Sequence, residues 1–169
     1  STTSIVIGVA AAQPDRNSIV LAALAGMIAD AMSMAAGEYV SVSSQEDTEK
    51  ADLLREKREL KEMPEQELIE LAKIYEKRGV TKETALQVAI ELTKHDALGA
   101  HAHDELGINE ITQAKPLQAA IASFGAFALG ALLPFAVSFL APIKEMVYFQ
   151  YGFSIIFLMI LGAISAKTG

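Results

Sequence analysis

Three long apolar runs, residues 18–42, 116–141 and 146–166, constrain this chain more than any other feature. A hydrocarbon core about 30 Å thick is crossed by roughly 20 helical residues, so all three runs are read as membrane-spanning helices. Mean hydropathy is +0.30 although the middle of the chain is strongly polar, so the apolar residues must be concentrated in this way. The first run does not end at a membrane edge. Beyond Ser41, Ser43 and Ser44 it continues without Pro or Gly into a densely charged segment, and one helix is expected to leave the membrane and reach about residue 62. Asp30, Met34 and Glu38 recur every four residues on its apolar part, which places two carboxylates and a thioether along one helical face. An ionisable side chain within a span costs at least about 2.5 kcal/mol near its centre. Asp30 therefore reads as a group kept for transport, relay or pairing, and Glu38 as either part of that path or an interfacial residue.

Between the first and second runs lies a polar insert. Pro64 suits the first turn of a new helix, and Leu68, Leu71, Ala72 and Tyr75 follow at helical spacing up to Gly79. Thr81 is a natural N-cap for a helix over residues 82–94, with Leu86, Ala89, Ile90 and Thr93 on one side. A shorter piece, residues 95–106, ends at Gly107, and Pro116 opens the next membrane helix, which Pro134 is expected to kink. The opening apolar stretch, residues 4–12, is too short to span and is expected to be the tail of a longer helix, so that the chain reads as a fragment at both ends. The expected fold class is all-α: polytopic membrane helices with a cytoplasmic helical insert between the second and third of them. The expected domains are residues 1–43 (helix one, partial, and helix two), 44–115 (the acidic insert) and 116–169 (helices three and four).

Loop charge sets the expected orientation. The insert holds eleven Lys and Arg, whereas the opposite loops hold only Arg16 and Lys144, so the positive-inside tendency places the insert in the cytoplasm. It also holds seventeen Asp and Glu, which leaves it at −6, nearly all of the chain's −7. Such a surface attracts cations and lacks the clustered positive charge that a nucleic-acid partner needs.

Within the insert Glu56 and Glu59 are three apart, as are Glu67 and Glu70, so each pair projects from one helix face. If the helices fold back across Met63 and Pro64, four carboxylates would converge on divalent metal. From spacing alone a solvated face is the simpler reading, because Arg55 and Arg58 stand one turn before Glu59 and Glu62. His95, Asp96, His101, His103, Asp104 and Glu105 crowd eleven residues and include every histidine, a reasonable composition for a metal site. With no cysteine, thiolate ligands and disulfides are excluded. No P-loop, GxGxxG, HExxH or ExxH pattern is present, so ATP drive, an organic cofactor and di-iron redox catalysis are not expected. Small residues four apart (Ala22 and Gly26; Ala31 and Ala35; Ala126 and Gly130) permit close helix contact.

The stretch SMAAGEYVSVSSQEDTE, residues 33–49, resembles the signature of the vacuolar iron transporter family, and HDALGAHAHDELGI with KPLQAAIASFGAFALGALLP is similar to that family's later landmarks. The resemblance implies a homodimeric membrane protein, not an enzyme, that moves Fe(II), and often Mn(II), out of the cytosol in exchange for protons. Zn(II) or Co(II) would fit the same sites. Depending on the host it would occupy the cytoplasmic or the vacuolar membrane. Family pathway and insert ligands correspond here to Met34 and to Glu56, Glu59, Glu67, Glu70 and Glu105. His101 stands where plant members carry a methionine, and is read as a replacement ligand. The resemblance also implies an aspartate upstream of residue 1 and a fifth helix beyond residue 169. The alternative is a membrane-anchored metal buffer or sensor without transport.

Overall fold

The computed structural model describes residues 2–12, 15–109 and 112–168. Among them are six α-helices, α1 (Thr2–Ala12), α2 (Arg16–Glu62), α3 (Pro64–Lys77), α4 (Lys82–Asp104), α5 (Pro116–Leu140) and α6 (Met146–Thr168), with a single 3-10 turn at Ile143–Glu145. No strand is present among the described residues. α2, α5 and the segment Ile143–Lys167 are each long and apolar enough to cross a membrane, whereas α1 is shorter. The chain is an all-α, multi-pass membrane protein. It divides into two compact units, one of Ser1–Tyr39 with Leu117–Gly169 and one of Val40–Pro116, and the division falls within α2.

In the first unit Val6, Ile19, Ala23, Val137, Ala141 and Met146 form the buried cluster, so α1, α2, α5 and the start of α6 share one core. Gly26 sits against α1, where a Cβ would come 2.7 Å from Ile5 Cδ1. One of the small-residue pairs read from the sequence is thus a point of close helix approach. Arg16 closes the far end of α5: its guanidinium donates to the carbonyls of Ser138, Phe139 and Ala141, carbonyls that a helix end leaves without intrahelical partners. Gln150 is fully buried, and its Nε2 donates to the carbonyl of Pro134 at 2.7 Å. α5 runs on through Pro134 as one helix.

The second unit is built by local chemistry that the sequence carries openly. Met63, outside helical geometry at φ −134° and ψ 49°, separates α2 from α3, with Pro64 at the first position of α3. α3 ends in a Schellman motif: Gly79 adopts φ +96°, its N–H donates to Glu76 O at 3.0 Å and Val80 N–H to Tyr75 O at 3.2 Å. Thr81 Oγ1 accepts from Thr84 N at the start of α4. α4 is broken at Asp96 (φ −159°, ψ 91°), whose carboxylate accepts from Gly99 N at 3.0 Å and so caps a new helical segment. This is the boundary expected between the piece ending near residue 94 and the piece beginning at His95. α3 and α4 pack through Leu71, Ala72 and Ala89, with Leu68, Tyr75, Leu92 and Ala100 around them.

Replacing Gly26 by Leu should lower the unfolding midpoint of the detergent-solubilised chain, since overpacking a tight contact costs about 1–3 kcal/mol. Thermal unfolding followed by circular dichroism checks this, and Gly26→Ala should show a smaller shift in the same direction.

Candidate metal centre

Four ligand-type side chains of the second unit meet at one point. Glu56 comes from the end of α2, Glu67 from the first turn of α3, His101 from the last segment of α4, and Glu105 from the residue after it. One ligand atom from each lies within 4.8 Å of all the others. Ligands on opposite sides of an ion bound at about 2.0–2.2 Å stand roughly 4 Å apart, so small side-chain adjustments suffice to close this set on a divalent cation.

The site is dry. His101 is 0% and Glu56 2% exposed, Glu67 is also buried, and only Glu105 opens to solvent. His101 Nδ1 lies 2.9 Å from Glu105 Oε2, 2.8 Å from Glu56 Oε1 and 3.8 Å from Glu67 Oε2. One imidazole nitrogen has one proton at most to give. It is shared with Glu105, so Glu56 Oε1 stays buried without a hydrogen-bond partner despite its short approach, and His101 Nε2 is likewise unpartnered. Burial pushes the Glu56 carboxyl above its usual value, with the negative charge of Glu105 adding to the shift and His101 opposing it. Burial also raises Glu67, reinforced by the charge of Glu70 and again opposed by His101. Three carboxylates face one imidazole at a largely buried point, and a divalent cation could neutralise their charge while filling the orphaned lone pairs.

The other residues singled out in the sequence fall elsewhere. Glu59 is half-buried and within 3.8 Å of the Arg55 guanidinium, and Glu70 is exposed; both act on the cluster through charge and neither joins the four. The face-to-face convergence of two glutamate pairs thus takes another form: one glutamate of each pair turns inward, and α4 supplies the rest. His95 and His103 are exposed. Asp30, Met34 and Glu38 lie on α2 in the first unit; Met34 is 52% exposed, Glu38 is exposed, and Asp30 Oδ2 is buried without a hydrogen-bond partner. Spacing gave no sign of the set around Asp104, which accepts from Tyr75 Oη at 2.5 Å and Arg78 Nη1 at 3.0 Å. These partners are 29 and 26 residues away, beyond any local pattern.

Fold and site define a multi-pass helical membrane protein that carries a buried carboxylate–imidazole centre. The comparisons narrow that class: the VIT family model matches residues 1–169, and the chain belongs to this family. It is 44% identical over 160 residues to a protein named vacuolar iron transporter from Acanthamoeba castellanii, covering 94% of this chain and 61% of that protein. A vacuolar iron transporter from Toxoplasma gondii is 32% identical over 138 residues, covering 79% of this chain and 45% of the relative. Vacuolar iron transporter 1 of Arabidopsis thaliana is 28% identical over 137 residues, 80% of this chain and 55% of that protein. The chain thus spans about half to three-fifths of the length of these relatives. All three carry transporter names, in keeping with the expectation that the chain is not an enzyme.

The raised carboxyls make a pH prediction for the metal-free protein. Between 4.5 and their raised values Glu56 and Glu67 hold more protons folded than unfolded, so the stability they contribute is complete below about 4.5 and is lost as pH rises through the folded values. Asp104, whose carboxyl is held low against its burial by hydrogen bonds from Tyr75, His103 and Arg78, acts only at and below 3.8. With chelator present, the unfolding midpoint should therefore fall as pH is raised above about 4.5, and Mn(II) should abolish the fall. A fall seen in the unmodified metal-free chain but lost in metal-free Glu56→Gln, Glu67→Gln protein identifies the two groups.

Proposed function

We propose that this chain captures divalent metal, Fe(II) foremost, from the cytosol and carries it across a membrane away from the cytosol. The observation that carries the reading is the dry cluster of Glu56, Glu67, His101 and Glu105, whose charge and orphaned atoms suit a cation and little else. Its oxygen and imidazole donors suit Fe(II), Mn(II), Co(II) and Zn(II), and exclude selection for soft Cu(I). Residues 44–115 form the cytoplasmic metal-binding domain. Glu59 and Glu70 add to the negative potential that draws ions in and take part in holding metal as the site fills.

Residues 1–43 and 116–169 form the conducting part. There the ion passes Glu38, Met34 and Asp30, a carboxylate, a thioether and a carboxylate about 6 Å apart along α2. Protons replace it on the carboxylates, so transport is proton antiport. Two copies of the chain provide facing α2 surfaces, and this fits the exposure of Met34 in the single chain. The relatives' names support iron as the substrate. The membrane would be vacuolar in a eukaryote and cytoplasmic in a prokaryote.

The test is Fe(II) and Mn(II) uptake into proteoliposomes that hold the full protein and an imposed pH gradient. Uptake should depend on the gradient, move protons in the opposite direction, and fall at least tenfold in Met34→Ala while metal binding in detergent stays unchanged. Metal binding with no uptake under any gradient would instead favour a membrane-anchored buffer or sensor. Uptake indifferent to the pH gradient would remove proton antiport.

A further inference from the structure

The second segment of α4 and its C-cap residue supply two of the four clustered ligands, yet the segment is short and cut off from the first by the non-helical Asp96. Eight residues or so of helix do not hold their own direction in water, so something outside α4 must aim His101 and Glu105. Asp104 lies on the same turn as both. Its carboxylate is only 6% exposed and is fully engaged: Oδ2 accepts from Tyr75 Oη, and Oδ1 from Arg78 Nη1 and His103 Nδ1. The Arg78 guanidinium sits 5.2 Å from the Tyr75 ring centroid, which fixes the two donors against each other. Tyr75 lies in the last turn of α3, the helix whose first turn carries Glu67, and Arg78 caps it. Tyr75 also packs against the α3/α4 core cluster of Leu71, Ala72 and Ala89. On the far side of the turn, Ile108 N–H reaches back to Ala102 O at 2.7 Å, with Gly107 at φ +69°.

We propose that Tyr75, Arg78 and Asp104 are positioning residues for the metal centre: a clamp between α3 and the last turn of α4 that holds His101 and Glu105 against Glu56 and Glu67 before an ion arrives. The inference rests on the metal-capture reading above. The clamp touches no ligand atom of the ion; it sets the affinity and the uniformity of the site by removing the ordering that binding would otherwise require. Tyr75 contributes a single hydroxyl to it, so Tyr75→Phe removes the link while keeping the ring, its packing and the Arg78 contact.

The experiment is a Mn(II) titration of the full chain in detergent, with free ion followed by electron paramagnetic resonance and bound ion by its frozen-solution spectrum. In Tyr75→Phe the stoichiometry should stay as in the unmodified protein, the Kd should rise about tenfold, and the bound-ion spectrum should broaden as ligand positions become heterogeneous. Arg78→Gln, made from the exposed side, should move both readouts in the same direction, and it decides the matter if Tyr75→Phe does not fold. An unchanged Kd and spectrum in a variant of unaltered helical content overturns the clamp. So does a lowered unfolding midpoint with the spectrum unaltered, the result of a purely structural contact. Failure of the unmodified chain to bind Mn(II) is a separate result, which overturns the capture reading and the clamp with it.

Discussion

Carboxylates of like charge do not stay ionised together in a dry place unless a cation accompanies them. Glu56, Glu67 and Glu105 meet around one imidazole, two of them buried, and the resulting excess of charge is the constraint on which the polar unit turns. Burial, with the neighbouring negative charges adding to it, drives the Glu56 and Glu67 carboxyls upward and so favours their protonated forms. With an ion, the same atoms gain a partner that supplies two positive charges at one point. A proton and a divalent ion would therefore compete for the same oxygens.

Local sequence rules assemble the centre with few residues. One non-helical residue, Met63, and the proline after it turn the chain so that the end of α2 and the start of α3 present Glu56 and Glu67 to the same point. The Schellman motif at Gly79 and the Thr81 cap return the chain as α4, and the Asp96 cap starts the segment that carries His101. Each step is worth on the order of 1 kcal/mol by itself. Together they leave the chain few alternatives, and the apolar contacts of Leu71, Ala72 and Ala89 supply the burial that makes them cooperative.

The helices were legible because their signals are local. Prolines, glycines and capping residues mark α2, α3 and α4, the Asp96 break falls where the periodicity changes, and the apolar runs announce the three long helices. The composition of the candidate metal centre was legible only in part. Spacing placed Glu56 with Glu59 and Glu67 with Glu70 but could not say which member of each pair turns inward, since that depends on how α3 packs on α4. Family resemblance pointed to Glu105, and to His101 as a substitute ligand. Nothing in the sequence linked Asp104 to Tyr75 and Arg78, or Arg16 to the end of α5, because both are long-range contacts between polar groups that carry no periodic signature.

The central claim is that the buried carboxylate–imidazole cluster is a site for divalent metal. Anaerobic calorimetric titration of Fe(II) into the full detergent-solubilised chain, beside a variant with Glu56→Gln and Glu67→Gln, tests it most directly. Micromolar or tighter binding that is lost in the double variant, with helical content unchanged, is the predicted result. Binding of equal strength in both proteins, or none in the unmodified chain, would contradict the account and leave the cluster as a proton-sharing core.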